Sequence, residues 1–367
     1  MFKILMALWL AIVALFTGCG KGNNPENPEL PETTTSTSEE TTVDATTPTV
    51  PTEEEFKVIY LDVGQADAAL ITCGEKSMLI DGGNAADSNV IYTVLNKYNI
   101  DTLEYVVATH AHEDHIGGLS GAFRACNVKN VLCPVTDYNS KTFDNFKNSV
   151  SDQELTITIP TAGTSFSLGS AKVDVFGPCK TYEDTNDTSI VLKITYGETS
   201  FLFTGDAGYE AEHDMINAGY DLSATVLKVG HHGSSTSSSY VFLREVMPKY
   251  AIISVGEDNN YGHPHEDALS RFRDANAKIY RTDMQGDIIC ISDGKTVTIS
   301  TNRNTDVDTN PTTPADGEYV YVGNIKNHKL HKITCSSLPA EHNRAYFYNR
   351  DEAFAAGYTS TCGSCKP

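Results

Sequence analysis

The chain reads as an α/β protein in which two mixed β-sheets are sandwiched between helix layers. Short apolar runs of strand character alternate with amphipathic helical patterns throughout residues 56–300. Many of these runs meet end to end as hairpins, while others are separated by a helix, so antiparallel and parallel pairing mix. Val173, Val175, Ile190 and Leu192 alternate with a period of two, as expected of strands with one covered face.

In chain order, strands are expected at 57–63, 68–72 and 77–80, followed by a helix over 88–98. The run 103–108 is apolar enough for a buried strand, and Gly117 and Gly118 suit a tight turn into a helix over 118–126. Strands follow at 130–133, 155–159, 172–176, 189–196 and 199–203, the last ending in Thr204-Gly205-Asp206. A helix over 209–218 has Asp206 as a candidate N-cap. The strand 225–229 leads into Gly230-His231-His232-Gly233-Ser234, and a helix is expected over 240–247. The strand 250–255 precedes Gly262-His263-Pro264-His265, with Pro264 placed just inside the helix 266–275. Strands at 278–281, 287–291 and 296–299 complete this core.

Outside the core, residues 1–19 read as a lipoprotein-type signal. Lys3 is the basic start, residues 4–16 the apolar stretch, and Thr17-Gly18 the small residues before Cys19. About thirteen apolar residues are too few to span a bilayer comfortably. Cys19 is the expected lipidation site, with an ordinary cleaved signal or a retained anchor as alternatives. Each places the folded part outside the cytoplasm, on a bacterial membrane or secreted. Residues 20–55 are rich in Thr, Ser, Pro and Glu and read as an extended tether. Residues 301–316 repeat that composition, which leaves 317–367 as a small second module. No protein partner is inferable. The net charge of -21 argues against unspecific attraction to nucleic acid or anionic lipid. Much of the acid lies in the tether, however, and bound metal brings its own positive charge. Cys73, Cys126, Cys133, Cys179 and Cys290 are odd in number and read as small buried apolar residues.

Function is concentrated in Thr109-His110-Ala111-His112-Glu113-Asp114-His115. Imidazole and carboxylate are the natural ligands of Zn²⁺, and the cluster holds too many donors for one tetrahedral ion. Two divalent ions sharing them is the simplest reading, and paired cations of that kind lower the pKa of a bound water. Asp206 ends a buried strand where one carboxylate can bridge two cations, and paired histidines after an apolar strand suit ligand or catalytic duty.

These segments resemble the metallo-β-lactamase superfamily, αββα sandwiches with metal-dependent hydrolase activity. The likeness rests on 61–67, on Leu79-Ile80-Asp81-Gly82-Gly83, on His110 to His115, on Thr204-Gly205-Asp206 and on His231 to Ser234. The subgroup it resembles is the extracytoplasmic domain of ComEC-type DNA-uptake proteins, with Ala66 where that group has glycine. The resemblance implies that His110 and His112 hold the first metal and Asp114 and His115 the second, with Asp206 bridging. His231 is expected to complete the second site, with His263 as its rival. His232 and His263 would face the substrate and serve catalysis beside Asp114. No histidine lies between His115 and His213, where many members carry a first-metal ligand. Asn186, Asp187 or a water would fill that position, and Mn²⁺ becomes an alternative to Zn²⁺.

In the second module, His331-x3-Cys335 and Cys362-x2-Cys365 form two close pairs with the spacing of a structural zinc site. About fifty residues build little core, so a metal is physically reasonable. A disulfide between Cys362 and Cys365 is the alternative. Asn349 to Glu352 resembles a capping box opening a helix over 350–356, with Gly357 ending it. The module resembles the metal-binding domain of the Ada DNA-repair protein, except that His331 stands in place of a cysteine. Lys326, Lys329, Lys332 and Arg344 are candidate phosphate contacts. The expected function is a metal-activated phosphodiesterase or nuclease acting on DNA. Other hydrolases on the scaffold (phosphocholine esterase, lactonase, β-lactamase) and a non-catalytic surface DNA-binding protein are the alternatives.

Overall fold

The computed structural model describes residues 55–309 and 319–367. The signal segment with Cys19, the tether up to residue 54 and the end of the second linker lie outside the described residues. Strands β1 (Phe56–Tyr60), β2 (Ala69–Cys73), β3 (Lys76–Ile80), β4 (Tyr105–Val107), β5 (Val131–Leu132) and β6 (Ile157–Thr158) belong to one sheet. The second sheet contains β7 (Ser165–Leu168), β8 (Ala171–Gly177), β9 (Val191–Tyr196), β10 (Thr199–Phe203), β11 (Val226–Lys228), β12 (Tyr250–Ile253) and β13 (Lys278–Arg281). Then β14 (Ile288–Ser292) and β15 (Val297–Thr301) return to the first, with β14 antiparallel to β1. Both sheets are mixed: hairpins pair antiparallel, and strands separated by a helix pair parallel.

The layers follow from strand alternation. Phe56, Val58 and Tyr60 of β1 point at Val173, Val175, Leu192, Phe201 and Phe203 of the other sheet, forming the inter-sheet core. Ile59, Leu70, Leu79 and Val106 face outward onto α1 (Ser88–Lys97), α3 (Ser120–Ala125) and α4 (Lys141–Asp152). A four-residue turn of helix, α2 (Glu113–Ile116), precedes α3. Leu202, Leu227, Ala251 and Ile279 face α5 (Tyr209–Asn217), α6 (Tyr240–Val246) and α7 (Glu266–Asp274). The expected αββα sandwich is therefore what the chain forms. Its five scattered cysteines are free thiols, buried except for the half-buried Cys179.

Several expected boundaries change. Helix α4 was absent from the expectations, although Phe143, Phe146 and Val150 share one face and the Ser140 hydroxyl accepts from Phe143 N at 3.1 Å. Pro264 precedes the N-cap His265 instead of opening α7. Residues after Ser300 do not detach at once: β15 runs to Thr301, Arg303 pairs with Asp62 at 2.8 Å, and Thr309 donates to Ile279 O at 2.6 Å. The small module is a sheet of β16 (Tyr321–Asn324), β17 (Lys329–Lys332), β18 (Arg344–Phe347) and β19 (Ser360–Thr361), ordered β18-β16-β17-β19 among the described residues. One face packs Tyr321, Leu330, Phe347 and Tyr358 with Ala353 of α8 (Arg350–Ala355), which Asn349 caps and Gly357 follows at φ 87°. Among the described residues no helix is long and apolar enough to cross a membrane.

Gly118 serves a close approach as well as the expected turn into α3, which Gly117–Leu119 form. A Cβ there would stand 2.0 Å from Gly82 O, because the loop after β4 is pressed onto the end of β3. Gly118→Ala should therefore lower stability by about 1–3 kcal/mol, measured by thermal or denaturant unfolding; an unchanged midpoint would show that the two backbones can part freely.

Candidate metal centre

Three turns at one end of the sandwich meet. The first leaves β4 and carries His110, His112, Asp114 and His115, with His112 as the N-cap of α2. It is stitched to its neighbours through the backbone: Gly82 N donates to His115 O at 2.7 Å, Gly118 N to Gly83 O at 3.1 Å, and Asp67 N to Asp114 O at 3.1 Å. The second turn leaves β10, where Gly205 has φ 51° and Asp206 N donates to the Ser189 hydroxyl at 3.0 Å. The third leaves β11, and there His231 and His232 adopt left-handed φ of 50° and 53°. Such angles cost L-residues on the order of 1 kcal/mol or more each, so packing must hold them.

Asp206 stands at the centre. Its Oδ2 lies 3.4 Å from His115 Nε2, 3.7 Å from His231 Nε2, and 3.8 Å from both His110 Nε2 and His232 Nε2. Donor atoms of Asp114, His115, Asp206 and His232 all fall within 4.8 Å of one another. His232 Nε2 is 3.3 Å and His115 Nε2 3.9 Å from Asp114 Oδ2. A tetrahedral ion with bonds near 2.0–2.1 Å separates its donors by about 3.3–3.4 Å, so this set is close to a ligand cage. The orphaned atoms agree: His115 Nε2, His232 Nε2 and Asp206 Oδ1 are buried without a hydrogen-bond partner. Beside this set, His110 Nε2 and His112 Nδ1 approach to 3.0 Å, giving a second pair of donors next to the shared Asp206. The residues fit two divalent ions.

The imidazoles are held from behind. Asp81, itself left-handed at φ 58°, accepts from His115 Nδ1 at 2.8 Å and from Thr109 N and Oγ1, both at 2.8 Å. Asp67 Oδ1 is 3.1 Å from His232 Nδ1, which also faces Ser254 O at 3.0 Å, while Asp67 Oδ2 pairs with buried Lys228 at 2.7 Å. Carboxylates behind ligand histidines fix their tautomer and orientation. Burial pushes the Asp206 carboxyl up, but His115, His232 and His110 outweigh it and hold the group well below the usual range. Burial likewise opposes ionisation of Asp67, yet Lys228 and His232 bring it to about 2. Burial lowers His263 to about 4, with His265 and His231 adding to the effect.

The two neighbouring histidines differ in their surroundings. His232 lies inside the four-donor set and is buried, whereas His231 keeps 26% of its side chain exposed and turns Nδ1 towards the Thr236 hydroxyl at 3.3 Å. His231 was preferred because it directly terminates a core strand; in the structure it shares a turn of consecutive positive φ values with His232, which joins it as a ligand candidate. His263 stays on the rim, its ring centre 5.5 Å from His231 and outside the four-donor set. Asp187 Oδ1 accepts from Gly208 N at 2.8 Å, which ties it to the start of α5. Asn186 Oδ1 is buried and unpartnered. Asp67, Asp81 and Lys228 were given no role from sequence. The signal was present: each acid precedes or ends an apolar strand, as Asp206 does.

In the small module, donor atoms of His331, Cys335, Cys362 and Cys365 also lie within 4.8 Å of one another. Cys335 Sγ and Cys362 Sγ are 4.0 Å apart, near the roughly 3.8 Å edge of a zinc–thiolate tetrahedron. Lys332 N donates to Cys365 Sγ at 3.3 Å and Ser337 N to Cys335 Sγ at 3.4 Å. Backbone N–H groups of Cys365 and Ser364 bring the Cys362 thiol down to about 7. All four thiols or imidazoles are available as ligands, for Cys362 and Cys365 are free thiols.

The sequence profile of the Metallo-beta-lactamase superfamily matches residues 61–257, more than half of the chain, and the chain belongs to that superfamily. Its relatives are of the ComEC type. It is 28% identical over 253 residues to ComE operon protein 3 of Bacillus subtilis, covering 64% of this chain and 33% of that protein. Competence protein ComA of Neisseria gonorrhoeae is 30% identical over 241 residues, 65% of this chain and 33% of that one. The chain thus spans about a third of the length of these relatives. The metallo-beta-lactamase fold protein YhfI of Bacillus subtilis aligns over 65% of this chain and all of its own, at 14% identity and a TM-score of 0.45.

Metal content should report the two sites separately. Asp81→Ala should weaken divalent-ion binding in the core by about 10–100-fold, read by chelator competition, while Cys335→Ser should remove only the module's ion. Equal affinity in Asp81→Ala, or unchanged zinc content in Cys335→Ser, would contradict the respective assignment.

Proposed function

We propose that this chain is an extracytoplasmic, metal-dependent phosphodiesterase that cleaves DNA. The observation that carries the reading is one buried carboxylate, Asp206, shared by two adjacent donor sets that open on one side to solvent. Divalent cations held there supply a water of lowered pKa and positive charge beside the scissile group. A phosphodiester suits this arrangement because cations held by Asp206 and the imidazoles would offset the negative charge of the phosphate.

The chain's own residues arrange the rest. Asp114, with 31% of its side chain exposed, is the acidic ligand nearest solvent and is placed to take a proton from the attacking water. His231 and His263 form the rim. Gly256 N donates to Gln65 Oε1 at 3.1 Å, which fixes the amide so that Gln65 Nε2 donates to His263 Nδ1 at 3.4 Å. His263 then carries its proton on Nε2 and presents a neutral donor to a substrate oxygen. DNA is favoured by the relatives, which include competence and recombination proteins, and by the appended basic module. Zn²⁺ or Mn²⁺ would serve in the core and Zn²⁺ in the module.

Linear DNA incubated with Zn²⁺ or Mn²⁺ should be cut, and Asp206→Ala or His112→Ala should each slow cleavage by about 100-fold or more. Intact DNA alongside turnover of a lactone, choline ester or β-lactam would move the function to another hydrolase class. Absence of all turnover with fewer than two core ions would favour a binding protein. Residues 1–19 support lipid anchoring at Cys19. Detergent-phase partitioning of the expressed chain should be lost in Cys19→Ser; retention by that variant would exclude the lipid.

A further inference from the structure

Three exposed tyrosines on the small module have no part in its core or its metal cluster. The Tyr319 ring stacks on Tyr348 at 4.7 Å and meets the tilted ring of Tyr346 at 5.1 Å, and 36–45% of each residue is open to solvent. Three exposed aromatic rings gathered around Tyr319 form an apolar patch of the kind that marks a binding surface.

The sheet register says which face they occupy. Tyr346 pairs with Val322, so it lies on the face opposite Phe347 and Tyr321, which pack with α8. One step along the same face, Arg344 pairs with Asn324, which pairs in turn with Lys329. The row of Tyr346 continues through buried Val322 to the cluster residue His331, so the tyrosines occupy the outer edge of this face beside the row of Arg344 and Lys329, with Arg344 steadied by donating from Nε to Pro339 O at 2.8 Å. Lys332 is not part of the basic row, because it lies on the other face and pairs with Asp267 at 2.9 Å. Charge separates the module from the rest: residues 319–367 hold six Lys and Arg against three Asp and Glu, whereas the whole chain carries -21.

We propose that this sheet face binds single-stranded DNA, with Tyr319, Tyr346 and Tyr348 stacking on bases and Arg344 and Lys329 meeting phosphates. The proposal rests on DNA being the substrate of the core and names the strand form the chain holds. Every base offers a π-face, but only an unpaired base can give it to a protein ring, since in a duplex both faces are already stacked. The basic row one step away matches a backbone that runs beside its bases.

The test uses the full chain carrying Asp206→Ala, so that the probe is not consumed, and measures anisotropy of a labelled oligothymidine. Binding should weaken about tenfold or more when Tyr346→Ala and Tyr348→Ala are added. The corresponding Tyr→Phe pair should bind normally, and a duplex of equal length should bind less tightly than the single strand. Zinc content and circular dichroism establish that the module has kept its fold. In the chain with Asp206 intact, the alanine pair should leave hydrolysis of a small chromogenic phosphodiester unchanged, which keeps the core reaction separate from the platform. Equal affinity in the alanine pair, preference for duplex, or no binding of oligothymidine would overturn the proposal, whether or not the core cleaves DNA. Saturable binding of a soluble cell-wall glycan lost in the same variants, with oligothymidine unbound, would assign the face to sugar.

Discussion

Everything at the catalytic end of the sandwich depends on burying the Asp206 carboxylate among imidazoles. Asp206 is only 2% exposed, and Asp67 and Asp81 behind the cluster are 4% and 1% exposed. Three acids at such depth would each be strongly disfavoured without compensating charge. Lys228 meets Asp67, His115 meets Asp81, and the imidazoles meet Asp206. The protein's own cations go to the outer acids, which leaves the central carboxylate and two imidazole nitrogens facing one another with hydrogen-bonding capacity unspent. A site built this way is arranged for charge supplied from outside the chain.

The sandwich provides the rigidity that this arrangement requires. Ends of β3, β4, β10 and β11 reach the same edge, and each is anchored by the inter-sheet core or by the helix layers. The left-handed angles at Asp81, His231 and His232 lie in the turns themselves. Strain of this kind persists when surrounding structure over-determines it. Here that structure includes the contact between Gly82 and Gly118, where two backbones approach too closely to admit a Cβ. Small residues bring the turns together, and charged residues then decide how they are used.

Periodic features were the ones legible in the sequence. Strands with one covered face, helices with an apolar stripe and ligand clusters confined to one loop all leave local patterns, so the αββα order and the His110–His115 set could be read directly. Helix α4 was overlooked although its signal was present: Phe143, Phe146 and Val150 form an apolar stripe behind the Ser140 cap, as clear as the stripe of α7. The inclusion of His232 in the donor set was not readable: it turns on two consecutive positive φ values between Gly230 and Gly233, and of these two glycines only Gly233 shares that conformation. The roles of Asp67, Asp81 and Lys228 arise from contacts between residues far apart in the chain, such as the 161-residue gap between Asp67 and Lys228 (228 − 67). One-dimensional pattern carries little information about such pairings.

The serine-rich loop after His232 shows how far the site's support extends. Residues 234–239 are pinned on one side by buried Arg271, which donates to Ser237 O at 2.9 Å, and on the other by buried Glu212, which accepts from Ser238 N and from Ser239 N at 3.0 Å. His265, the N-cap of α7, accepts from Ser235 N at 2.9 Å. Helix α7 thus grips this loop with its first and middle turns, and Asp267 on the same helix takes Lys332 of the small module. The helix that grips the loop after His232 is also one that the module touches, beside α6, where Arg350 lies over the Tyr240 ring at 6.0 Å. Because a packed helix moves as a unit more readily than it bends, any load on the module is borne by the same element that shapes the mouth of the metal centre. The appended module is for that reason tied to an element that supports the site, although none of its residues belongs to the core's metal cluster.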